Sequence, residues 1–184
     1  MSRPIYVVEN TDTAPRKKLF RFLGVDWMGT PYWWISPLWI VGAGVGLAFW
    51  THRDDTLMHL ATSSVLFAIV IAATVFFHSF GHWIGGTIAG NIMTGNLLTA
   101  TVPMNVYDGK RYPSRIHFIR GLGGPLFNLF VALCGYLIDY ILGGNVYIIA
   151  LADLNLLFCV FSSLPIRSLD GGVFLRELRN WRKE

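Results

Sequence analysis

Charge is scarce in this chain of 184 residues: Asp, Glu, Lys and Arg make up 14% of it against 53% hydrophobic residues, and mean hydropathy is +0.48. An ordinary soluble domain is about a quarter charged, so that class is excluded. Cysteine is equally sparse. Cys134 and Cys159 both fall in apolar runs, where a thiol behaves as a small buried group, and they make no disulfide framework. No internal repeat, low-complexity tract or nucleic-acid motif is present. Met1 to Asp26 is polar and mixed, which offers no cleavable apolar leader and leaves the first apolar run to direct insertion.

What the chain has in abundance is long apolar sequence. Four runs approach or exceed the roughly 20 residues that cross a bilayer as a helix: Trp33 to Trp50, Leu57 to Phe77, Leu122 to Leu142, and Val146 to Leu164. The expected fold is an all-α polytopic membrane protein with four transmembrane helices. Its membrane domain covers residues 29–174, between a basic N-terminal tail (1–28) and a C-terminal tail (175–184). Met1 to Phe20 reads as a loosely ordered segment, and Arg176 to Glu184 as a short amphipathic or frayed helix at the membrane surface.

Basic residues set the expected orientation. With the N-terminus in the cytoplasm, only Arg53, beside Asp54 and Asp55, falls on the far side among the 15 Lys and Arg, a strong positive-inside bias. A multi-pass protein of the cell membrane with both termini cytoplasmic follows. The pI of 9.3 then reflects topology and anionic headgroups. Between Gly85 and Arg120, short β-like stretches (Asn96 to Val102, Asn105 to Val106) and an Asp108-Gly109 turn predict a hairpin at the cytoplasmic interface. Non-helical backbone at that depth is tolerated only against protein or a water-filled cavity.

At the end of the second run stands His78-Ser79-Phe80-Gly81-His82. Imidazoles at i and i+4 share a helix face and can reach one tetrahedral metal. The pattern is that of the zinc motif HExxH with serine in place of glutamate. A pair of ordinary hydrogen-bonded histidines is the plain alternative, but ionisable groups in an apolar segment are costly and by default functional. Gly123, Gly124, Pro125 and Asn128 open the third run, where small residues permit close helix approach and Asn128 can bond a neighbour; an ordinary helix start explains them equally well. In the fourth, Asp153 and Asn155 precede Ser162-Ser163-Leu164-Pro165 and then Leu169-Asp170-Gly171-Gly172. Asp170 is a candidate third ligand, because a catalytic zinc commonly takes three protein ligands, unless Asp-Gly-Gly is a plain turn.

Together these residues resemble the site-2 protease family of intramembrane zinc metalloproteases, from about Gly29 to Phe174. Gly29-Thr30-Pro31 through Ser36-Pro37-Leu38-Trp39 is similar to the start of the family's first span. His78 to His82 is similar to its metal motif, and Gly124-Pro125-Leu126-Phe127-Asn128 to a frequent third-span opening. Ser162-Ser163-Leu164-Pro165 with Leu169-Asp170-Gly171-Gly172 is similar to its NxxPxxxxDG. The resemblance implies one zinc ion held by His78, His82 and Asp170, with Gly124, Pro125, Asn128, Pro165 and Gly171 as framework or substrate groove. Two departures bear on activity: Ser79 stands where the family has its general-base glutamate, and Ser162 where it has an asparagine that helps bind substrate or oxyanion.

Loss of a positioned general base costs on the order of 10² to 10⁴ in rate, and loss of an oxyanion donor on the order of 10² to 10³. The favoured reading is therefore a pseudoprotease that keeps its zinc and binds a transmembrane helix of a protein partner, within the bilayer and with room for a larger membrane complex. The competing readings are an active protease with another base, such as Asp153 or Asp108; a protease whose glutamate was exchanged artificially, against which Ser162 argues; and a haem- or pigment-binding assembly subunit using His78 or His82. The loops Thr51 to Thr56 and Gly143 to Asn145 are too short to select a partner. Gly42, Gly44 and Gly46 in the first run permit helix pairing.

Overall fold

The computed structural model describes residues 15–101, 103–107, 110, 112–167 and 169–183. In chain order these form β1 (Lys17–Phe22), β2 (Val25–Gly29), α1 (Ile35–His52), α2 (Leu57–Ala89), β3 (Met93–Leu98), β4 (Met104–Tyr107), α3 (Ser114–Leu142), α4 (Val146–Ser162) and α5 (Asp170–Trp181). The fold is mostly helical, with one small sheet.

Among the described residues three helices are long and apolar enough to cross a membrane: α1, α2 and α3, of 18, 33 and 29 residues. The fourth expected span, 146–164, ends at Ser162 as α4, a 17-residue apolar helix. Two helices outrun the hydropathy that announced them: α2 continues from Phe77 to Ala89, and α3 begins at Ser114 rather than Leu122. Caps explain these limits. Thr56 accepts the amide of His59 at the start of α2, Asn145 accepts those of Tyr147 and Ile148 at the start of α4, and Gly90 and Gly143 close α2 and α3 with positive φ of 77° each.

The sheet corrects the expected N-terminal tail. Its order is β1-β2-β3-β4, so Lys17 to Gly29 is ordered structure and not a free basic arm. β1 and β2 pair antiparallel around Leu23 and Gly24, whose φ values of 49° and 79° suit the tight two-residue turn of a twisted hairpin. β2 then pairs parallel with β3, Asp26 opposite Gly95 and Gly29 opposite Leu98, across the whole α1–α2 excursion. The expected hairpin is present as β3 against β4, antiparallel, with Leu97 opposite Met104. Val102, Asp108 and Gly109 lie outside the described residues.

The 174/175 boundary falls inside α5, which packs on α3 through Phe118 against Phe174 and Trp181, ring centroids 6.3 and 6.0 Å apart. Glycine sets the closest helix contacts. A methyl at Gly81 would collide with the carbonyl of Gly123, and one at Gly123 with that of Gly81, so α2 and α3 cross backbone to backbone beside the histidines. Of the three glycines in α1, only Gly44 packs within the chain, against Ser64 and Ala68; Gly42 and Gly46 face open space.

Candidate metal centre

The backbone crossing of α2 and α3 brings together three ligand atoms. His78 Nε2 and His82 Nε2 are 3.1 Å apart, and Asp170 Oδ2 lies 3.0 Å from the first and 3.3 Å from the second. Tetrahedral zinc with bonds of about 2.0–2.1 Å holds its ligand atoms about 3.3 Å from one another, so the three stand at zinc-ligand spacing. His78, His82 and Asp170 can accordingly hold a metal ion. His82 is buried, while His78 and Asp170 keep partial exposure.

The other face of each imidazole fixes its tautomer. His82 donates through Nδ1 to the Arg120 carbonyl at 2.9 Å, an atom that can only accept. His78 donates through Nδ1 to Asn128 Oδ1 at 2.7 Å. That assignment holds because the Asn128 amide nitrogen is committed as donor to Asn155 Oδ1 at 2.6 Å and to the Thr74 carbonyl at 3.4 Å. Asn155 in turn donates to Thr74 Oγ1 and to the Leu151 carbonyl. In its neutral form each imidazole therefore turns a bare Nε2 lone pair toward the other and toward a carboxylate oxygen. Three converging lone pairs repel unless a cation or protons lie among them, and outer oxygen acceptors on Nδ1 are the usual support of metal-bound histidine. The donor set fits zinc.

Asp170 opens α5, where a helix N-terminus favours a carboxylate. Burial works against its charge; where protons rather than a metal ion lie among the three atoms, the hydrogen bonds from His78 and His82 outweigh that and hold the carboxyl well below the ordinary carboxylate range. Its placement depends on Gly171 and Gly172, where an added methyl would collide with the carbonyls of Ser163 and Leu164 and of Ile166. These close approaches seat α5 against the end of α4. Gly124 makes room for the histidines themselves: a methyl there would lie 2.5 Å from His82 Nε2 and 2.7 Å from His78 Cε1. Phe158 of α4 closes the other side, edge to face with His78 at 4.9 Å.

The remaining predicted site residues are placed differently. Ser79 is buried and lines a small apolar cleft with Phe76, Trp83, Val25, Trp27 and Met93, between α2 and the sheet. Ser162 is buried at the end of α4, its hydroxyl donating to the Cys159 carbonyl at 3.2 Å. Pro125 is buried within α3, while Pro165 is exposed in the α4–α5 connection. Asp153, weighed as a substitute base, accepts the Tyr136 hydroxyl at 2.8 Å on an exposed surface. Sequence reasoning did not assign the supporting roles of Thr74, Asn155 and Arg120. The signal for Asn155 was its amide in the middle of an apolar helix, where it is fully buried. Arg120 serves twice, offering its carbonyl to His82 while its guanidinium bonds Asn91 Oδ1 at 2.6 Å and lies 3.9 Å over the Tyr107 ring.

Comparison with solved structures finds this fold elsewhere. The chain superimposes on the site-2 protease from Methanocaldococcus jannaschii with a TM-score of 0.64 and 18% sequence identity, over 90% of this chain and 72% of that one. No family model and no curated protein matches the sequence.

Proposed function

We propose that the protein is a multi-pass cell-membrane protein that binds one zinc ion through His78, His82 and Asp170 and has lost most or all peptide hydrolysis. Its work is then to bind a transmembrane segment of a partner protein, with both chain termini on the cytoplasmic side. Zinc, when bound, supplies a Lewis acid and ties α2 to the start of α5. The observation that carries this reading is a complete His₂Asp donor set beside a Ser79 that faces apolar side chains.

A serine hydroxyl is far too weak to act as the general base that peptide hydrolysis needs. Ser162, which resembles the family's asparagine position, spends its hydroxyl on a local carbonyl. Both groups that would move a proton or hold developing negative charge are thus missing. The 3.1 Å separation of the two Nε2 atoms, with Asp170 against both, leaves no space for a porphyrin between them and disfavours the pigment reading.

The test compares zinc content and cleavage of a transmembrane reporter in the detergent-purified protein, in His78→Ala and in Ser79→Glu/Ser162→Asn. The expected result is near-stoichiometric zinc lost in His78→Ala, no cleavage by the natural sequence, and measurable cleavage by the double variant. Cleavage by the natural sequence that His78→Ala abolishes would overturn the pseudoprotease reading; absence of zinc from all three would overturn the metal centre.

A further inference from the structure

A second cluster of metal-ligating side chains lies at the opposite end of α2. His52 ends α1, His59 lies in the first turns of α2, and Asp55 sits in the connection between them. Asp55 Oδ2 is 3.1 Å from His52 Nδ1 and 2.6 Å from His59 Nδ1, and the two rings meet edge to face with centroids 4.9 Å apart. The pattern repeats that of His78, His82 and Asp170: two imidazole nitrogens converge on one carboxylate oxygen, within mutual reach of a single ion. His78 lies nineteen positions after His59 along α2, about 28 Å at 1.5 Å per residue, so the clusters are independent.

His52 carries a second observation. Its Nε2 is buried without a hydrogen-bond partner among the described residues, and the neighbouring rings include those of Phe67 and Tyr147, at 6.3 and 6.5 Å. A bare nitrogen lone pair against aromatic rings is unfavourable, whereas an N–H there can point at a π face. With the ring proton on Nε2, the Nδ1 lone pair faces the Asp55 carboxylate and repels it unless a cation lies between. The tautomer that suits the buried side of the ring is therefore the one that ligates through Nδ1.

We propose that His52, Asp55 and His59 form a second divalent transition-metal site, of the N₂O donor class that suits zinc, fastening the end of α1 to the start of α2. Water completes the coordination from the open side, where Asp55 and His59 are half exposed. The His59 pair, at 2.6 Å, has to open by roughly 0.7 Å to reach zinc-ligand spacing, a movement its exposed ring can make.

The test is metal stoichiometry on the full chain in detergent, stripped with chelator and dialysed against buffered Zn²⁺, with Co²⁺ absorbance as a report of tetrahedral ligation. Natural sequence, His59→Ala, Asp55→Asn and His78→Ala are compared. The proposal expects each of the first two variants to lose one equivalent of metal relative to the natural sequence, and His78→Ala to lose a different one. Both altered side chains are surface-exposed, so the fold survives their loss, and circular dichroism verifies that. An equal number of ions, bound with equal affinity, in the natural sequence and in His59→Ala would overturn this site whatever His78→Ala does. A single ion lost only in His59→Ala would sustain it while overturning the metal centre of the proposed function.

Discussion

Gly124 and His82 touch so closely that a single methyl at Gly124 would lie 2.5 Å from His82 Nε2. The colliding atoms are the ends of imidazole rings, which can swing aside, so Gly124→Ala should leave the fold intact and disperse the ligand atoms instead. The expected result is a metal affinity about 10- to 100-fold weaker, the range seen when ligand orientation is disturbed, with little change in thermal unfolding of the metal-free protein. Competition against a zinc indicator, beside unfolding followed by circular dichroism, measures both.

Asn128 acts one bond further out. It accepts from His78 and donates to Asn155 and the Thr74 carbonyl, so Asn128→Ala strips partners from several buried polar groups at once. Each orphaned group costs about 1–3 kcal/mol. This variant, unlike Gly124→Ala, should lower both metal affinity and the stability of the metal-free protein. Asn155→Leu should reproduce the stability loss with a smaller effect on metal, because His78 keeps its acceptor.

The α2–α3 crossing yields a contrast between glycines. Gly81→Ala forces a methyl against the Gly123 carbonyl and within 2.6 Å of Phe127 Cβ, a collision with backbone that only helix displacement relieves. A loss of about 1–3 kcal/mol is expected, as for other overpacked contacts. Gly46→Ala, in α1 with nothing within 4 Å of the new methyl, should be neutral or stabilising by up to about 1 kcal/mol through helix propensity. Thermal unfolding of the two variants in one detergent checks the difference, and equal losses would contradict the packing described.

What the sequence made legible follows from how each feature is encoded. The helices announce themselves because apolar length is a local property, and His78 with His82 because their spacing matches the helix repeat. Asp170 was legible only as a candidate, since nothing local distinguishes a ligand from an Asp-Gly-Gly turn; its role depends on α5 seating against α4 through Gly171. The β1–β2 hairpin was missed for two physical reasons. Its first strand, KKLFRF, reads as a basic arm, and its turn uses Leu23 at a positive φ where Asn or Gly would have been the recognisable residue. The parallel partner of β2 lies beyond two helices, and non-local pairing of that kind leaves no trace in a short window.

If zinc binds as proposed, metal and stability are linked through Asp170. It is the only anionic member of the His78 cluster, and burial of its charge is tolerable only with a cation or protons between it and His78 and His82. Zinc that binds the folded protein and not the unfolded chain raises stability by RT ln(1 + [L]/Kd), about 2.7 kcal/mol at a free concentration one hundred times Kd. Chelator should therefore lower the unfolding temperature of the natural sequence, and zinc should restore it. Asp170→Asn keeps the shape of the side chain while removing its charge, and should abolish most of that zinc-dependent rise. A second metal site between α1 and α2 would leave a remainder in Asp170→Asn that disappears when His59→Ala is added. A zinc response of the same size in the natural sequence and in Asp170→Asn would show that the carboxylate is no ligand, and that the stabilising ion sits elsewhere.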